Sequence, residues 1–169
     1  VARLARVGSR HYGADMDLPS AVVFDLDGTL LDSLDDIALA AEEALTLHGF
    51  AVPDRDSLRR MVGDGAHSLV ARALGLPTDE PRVAPVLETF LTCYAAAPTR
   101  ATRHLPGALE LLATLANLGI PVAVCTNKPG ALARTIVAQM LGPLPCIGGG
   151  DVAELKPHPA PVFAALSIL

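Results

Sequence analysis

The first strong pattern in the chain is AVVFDL, residues 21–26, a short apolar run rich in β-branched side chains and broken only by Asp25. Such a run predicts a strand of a parallel sheet buried on both faces. Asp27-Gly28-Thr29 follows as a turn. Ser33 then stands three residues before Asp36 in a capping-box-like arrangement, and apolar positions at helical spacing predict a helix over 34–48, stopped by Gly49. From Pro53 to Arg103 the pattern is helical throughout, over 57–62, 66–74 and 81–96, punctuated by Gly63-Asp64-Gly65 and Gly75. No strand signal of comparable strength occurs there. Beyond Pro106-Gly107 the alternation of strand and helix resumes, with a helix over 108–118, a buried strand over 121–126, a loop over 127–130 and a helix over 131–141. A short apolar stretch at Cys146-Ile147 runs into three glycines, and a last helix is predicted over 160–166.

Strands alternating with helices of this length specify a parallel sheet with crossover helices. The expectation is two lobes: a discontinuous α/β core over 20–33 and 104–169, and an all-helical insertion over 34–103, joined near Ser33 and near residues 101–105. Residues 1–19 read as a tail. Met16 lies just ahead of the first strand and is a candidate start of the native protein.

Composition sharpens this picture. The 169 residues are 51% hydrophobic, with a mean hydropathy of +0.41, but the apolar runs are short and interrupted, whereas a membrane-spanning helix needs about 20 apolar residues. A net charge of −5 argues against general binding to nucleic acid or to anionic membranes, both of which require basic surface. Cys93, Cys125 and Cys146 are odd in number and widely spaced, as expected for free thiols in a reducing cytoplasm rather than for disulfides or a zinc site.

The chemistry concentrates in Asp25-Leu26-Asp27-Gly28-Thr29. Two acids two residues apart at the carboxyl end of a buried strand sit where open α/β sheets hold ligands, and unpartnered acids there would be costly. One carboxylate can serve as nucleophile and the other as general acid and base. Gly28 permits the turn, and the Thr29 hydroxyl with nearby backbone N–H groups can bind phosphate oxygens. The plain alternative is a turn whose acids cap the next helix.

DLDGTLLDS resembles the first motif of the haloacid dehalogenase superfamily. The resemblance implies an α/β fold, a Rossmann-like parallel-sheet core with an inserted all-helical C1 cap. It implies that Asp25 is the phosphorylated nucleophile and Asp27 the acid/base. Mg²⁺ would then be held by the Asp25 carboxylate and the Asp27 backbone carbonyl. Thr126-Asn127 resembles the second motif, which holds the phosphoryl group, and Lys156 in Lys156-Pro157-His158-Pro159 resembles the third, which neutralises nucleophile and phosphoryl oxygens. Gly63 and Gly65 match a cap loop facing the nucleophile. Arg59, Arg60 and His67 stand near it as candidate contacts for a substrate carboxylate, although such side chains are more often solvated. Asp151 is either a partner of Lys156 or Mg²⁺ or, more simply, a solvated loop acid.

Motif spacing and the GGGDVAELKPHPAP segment are most similar to the phosphoglycolate phosphatases. The expected function is Mg²⁺-dependent hydrolysis of a small phosphorylated metabolite in the cytoplasm. A phosphosugar mutase of the same superfamily, or an impaired fragment serving as an interaction module, are the alternatives. The superfamily continues to a fourth motif, a Gly-Asp followed by another acid that completes the Mg²⁺ site, and no such motif precedes Leu169. The expectation is a core without its C-terminal part, weak Mg²⁺ binding, and a nucleophile strand left as an exposed edge open to self-association.

Overall fold

A computed structural model describes residues 18–169; the tail expected over 1–19 falls outside it except for Leu18 and Pro19. The elements run β1 (Val22–Phe24), β2 (Leu31–Asp32), α1 (Leu34–Leu47), α2 (Arg55–Met61), α3 (Ala66–Leu74), α4 (Val83–Ala96), β3 (Arg103–His104), α5 (Ala108–Asn117), β4 (Val122–Pro129), α6 (Gly130–Met140), β5 (Cys146–Gly149) and α7 (Ala160–Ser167). Among these residues β1, β4 and β5 form a parallel sheet in the order β1-β4-β5, with Val22 opposite Val122 and Val124 opposite Cys146. The crossovers are helical, as parallel pairing requires.

β4 is the central strand and is buried from Val122 to Lys128. β1 is an outer strand and only half-buried, which corrects the expectation of a strand covered on both faces. Its regular part is also shorter than predicted, although Leu26 beyond it is completely buried.

Helices α1 to α4 lie between two short linkers, and those linkers pair with each other. Leu31 is opposite His104 and Asp32 opposite Arg103 in an antiparallel ribbon of two residues per strand. The Asp36 carboxylate fastens the second linker. It accepts hydrogen bonds from the backbone N–H of Ala101 and Thr102 and from the Thr102 hydroxyl at 2.6 to 3.0 Å. The capping box predicted at Ser33 and Asp36 is therefore replaced by longer-range contacts: the Ser33 side chain makes no cap hydrogen bond to α1. Burial explains the choice, since Asp36 is 3% exposed and a buried carboxylate must find strong donors.

A further correction concerns residues 127–130. They are not a loop: β4 runs through Asn127, Lys128 and Pro129, with an irregularity between Cys125 and Pro129, and α6 begins at Gly130. The cause is tertiary, because Pro129 pairs with Gly149 of β5. α4 likewise starts two residues later than the sequence pattern indicates, at Val83.

Candidate active site

Where β1 and β4 end, Asp25, Asp27, Thr126, Asn127 and Lys128 meet Gly63, Gly65 and the inner sides of α1, α3 and α4 around one cavity that opens to solvent. The first strand delivers Asp25 to this point, and the turn after it is closed by a 2.8 Å hydrogen bond from the Gly28 N–H to the Leu31 carbonyl. Gly28 has φ of 76°, a conformation that other residues adopt only at a cost.

The two acids are held differently. Asp25 Oδ1 accepts a hydrogen bond from its neighbour's N–H, that of Leu26, at 2.8 Å and lies 2.8 Å from Lys156 Nζ. The same ammonium donates to the Cys125 carbonyl at 2.7 Å, so a backbone oxygen of β4 aims it at Asp25. The Asp25 side chain is 43% exposed and open to a ligand. Asp27 is more enclosed. Its Oδ1 accepts a hydrogen bond from the Ser33 hydroxyl, and its Oδ2 lies 3.3 Å from Lys128 Nζ. Each acid thus has its own lysine, which offsets the repulsion of two carboxylates placed close together.

Lys128 is the buried member, with 4% of its side chain exposed. Its ammonium donates to the Tyr94 hydroxyl at 2.6 Å and lies 4.4 Å from that ring's centroid. Burial pushes the Lys128 ammonium below the usual lysine value, against the opposing pull of Asp27, Asp36 and Asp25. Burial also raises the Tyr94 phenol well above its ordinary value, with the charges of Asp27 and Asp36 adding to the effect. Tyr94 is therefore a neutral hydroxyl at any physiological pH.

Asn127 ties three segments together. Its Nδ2 donates to the carbonyls of Gly63 and Lys156, both at 3.0 Å, and its Oδ1 accepts from the Lys156 N–H at 2.8 Å. The side chain expected to bind phosphate is thus spent on positioning the Gly63 loop and Lys156. Gly65 approaches so closely that a Cβ there would stand 3.2 Å from the Asn127 carbonyl oxygen. Thr126 is buried, and its hydroxyl accepts from the Lys128 N–H at 3.2 Å.

The structure brings together Asp25, Asp27, Thr126, Asn127, Gly63 and Gly65 around the cavity, with Lys156 reaching Asp25 from its rim. Gly28 and Thr29 lie on the exposed turn and do not line it. Arg59, Arg60 and His67 are exposed and do not line it either. Asp151 is neither a partner of Lys156 nor a freely solvated acid: it pairs with Arg134 at 2.5 Å and accepts from the Gly148 N–H at 2.8 Å. Burial pushes its carboxyl up, but the Arg134 hydrogen bond, the Gly148 N–H and the Arg134 charge together hold it below the usual value. Ser33, Tyr94 and Lys128 were not found from the sequence. Lys128 directly follows the Thr126-Asn127 pair, which is the one signal that points to it.

Among the described residues no three acid, histidine or cysteine side chains cluster as a ready-made metal cage. The donor set nonetheless fits Mg²⁺, a hard cation that is commonly held by one or two carboxylates with phosphate oxygens and water supplying the rest. The accessible Asp25 carboxylate and the Asp27 backbone carbonyl are the groups that would hold it.

Paired carboxylates at the carboxyl end of a parallel sheet, each met by a lysine under a helical insertion, define the class as an α/β protein with a carboxylate-lined site. A family profile described as haloacid dehalogenase-like hydrolase matches residues 19–169, and the chain belongs to that family. It is 41% identical over 162 residues to the phosphoglycolate phosphatase of Rhodospirillum rubrum, an alignment covering 90% of this chain and 67% of that protein. It is 37% identical to the N-acetylmuramic acid 6-phosphate phosphatase of Pseudomonas aeruginosa, over 88% of this chain and 67% of the relative. The chain thus spans about two thirds of the length of these relatives. A crystal structure described as that of a predicted phosphoglycolate phosphatase from Haemophilus somnus superposes with a TM-score of 0.76 at 27% identity, covering 88% of this chain and 71% of that one. The family and these relatives mark the chain as a phosphatase-type hydrolase.

Proposed function

We propose that the chain is a Mg²⁺-dependent phosphomonoesterase that hydrolyses 2-phosphoglycolate through a phosphoryl group carried on Asp25. The observation that carries this reading is the Lys156–Asp25 pair at 2.8 Å, open to a cavity that Asp27 also lines. Asp25 attacks phosphorus in line with the leaving oxygen, forming the aspartyl–phosphoryl bond as the ester P–O bond breaks. Asp27 delivers a proton to the departing alkoxide and then takes one from the water that cleaves the aspartyl–phosphoryl bond, releasing phosphate and restoring Asp25. Lys156 balances charge on Asp25 and on the phosphoryl oxygens, and Asn127 keeps Lys156 and the cap loop in register. Bound Mg²⁺ would offset the repulsion between nucleophile and phosphate. Names of relatives at up to 41% identity support the choice of substrate. The free cysteines Cys93, Cys125 and Cys146 are the feature in keeping with a reducing cytoplasmic setting.

The test is phosphate release from 2-phosphoglycolate with Mg²⁺. The wild-type chain turns over, chelation of Mg²⁺ stops it, and Asp25→Asn falls to the uncatalysed background. Turnover retained by Asp25→Asn removes Asp25 as nucleophile.

A further inference from the structure

A carboxylate-bearing leaving group needs a cation, and the cations first suggested by sequence, Arg59, Arg60 and His67, are exposed and do not line the cavity. Lys128 is the one cation among the described residues that does. Much of the rest of the wall is apolar, contributed by Ile37, Val62, Leu69, Phe90 and Leu132. An acid group placed against that wall would lose its hydration without compensation. Burying an ammonium is itself costly, and Lys128 has one carboxylate partner, Asp27 Oδ2 at 3.3 Å, and one neutral partner, Tyr94 Oη at 2.6 Å. A lysine has three donors, so a third partner can join these two without displacing either.

The placement also matches the direction of the reaction. Lys156 stands on the nucleophile, the side that receives phosphorus, whereas Lys128 stands on Asp27, the side from which the alcohol departs. A leaving oxygen within hydrogen-bond reach of Asp27 lies within about 6 Å of Lys128 Nζ. A carboxylate one carbon further along spans that gap. We propose that Lys128 and Tyr94 form the subsite that receives an acid group on the departing alcohol, so that the cavity selects small phosphomonoesters whose alcohol carries a carboxylate. This rests on the phosphatase reading and adds to it the residues that read the substrate.

The test measures binding by calorimetry in Mg²⁺ buffer with two unreactive phosphonates. 3-Phosphonopropionate is the isostere of 2-phosphoglycolate, and propylphosphonate carries a methyl group in place of its carboxylate. The wild-type chain binds the first at least about ten-fold tighter, the scale of one charge-assisted hydrogen bond. In Lys128→Met that ratio falls to about one, and in Tyr94→Phe it falls about three-fold or more. A ratio unchanged in Lys128→Met, or equal affinities in the wild type, overturns the subsite and leaves the phosphatase reading standing. Binding of neither phosphonate by the wild type overturns the phosphatase reading itself. Should Lys128→Met lose both ligands, Tyr94→Phe decides, because it deletes one oxygen: a lowered ratio supports the subsite and an unchanged ratio overturns it.

Discussion

Asn127 shows how one side chain can hold separate segments in register. Its amide is oriented by three hydrogen bonds, two donated and one accepted, so the oxygen and nitrogen cannot exchange places. Asn127→Asp turns the donor end into an acceptor facing two carbonyl oxygens. The expected result is a loss of about 2 kcal/mol of stability, read from urea unfolding, together with weaker binding of phosphate. Asp25, Asp27 and Lys156 were legible as residues because type and order along the chain were enough. Lys128 and Tyr94 were not, because their pairing joins positions 34 apart on a strand and a helix, and nothing in local spacing brings them together.

At the scale of elements, the strand-helix alternation was readable wherever an element carried its own periodicity, as in α1, α3, α5 and the Val122–Thr126 part of β4. The extension of β4 over Asn127, Lys128 and Pro129 was not, since these residues have low intrinsic strand preference and take the conformation from their neighbour β5. Two-residue strands such as β2 and β3 are too short to leave any pattern. The contact that lets α6 begin where β4 stops is equally silent: a Cβ on Gly148 would lie 2.5 Å from Gly130 Cα and 2.8 Å from the Lys128 carbonyl oxygen. Those are backbone atoms that cannot move aside. Gly148→Ala therefore destabilises by at least about 2 kcal/mol and shifts Lys128 with it, observable as a lowered urea midpoint and weakened ligand binding.

At the scale of the whole molecule, the described sheet has three strands, and each of its two outer members is secured by an ion pair just beyond its last residue. β5 is fastened to α6 through the Asp151–Arg134 pair and the Gly148 N–H. Because the folded-state carboxyl of Asp151 is lowered from its ordinary 3.8, its contribution to stability is fully present above that pH and is lost as pH falls through the folded value. The difference in unfolding free energy between the wild type and Asp151→Asn is expected to be constant near neutrality and to shrink as pH falls through the folded-state value, which lies below 3.8. The end of β1 is held by the Asp25–Lys156 pair, whose ammonium also binds the Cys125 carbonyl of β4. One further property follows from Tyr94. The chain has no tryptophan and two tyrosines, and one of the two stands in the wall of the cavity with an ammonium against its ring. The ultraviolet emission of Tyr94 is consequently expected to change when the site fills, so that ligand entry can be followed without a dye, a label or an engineered reporter.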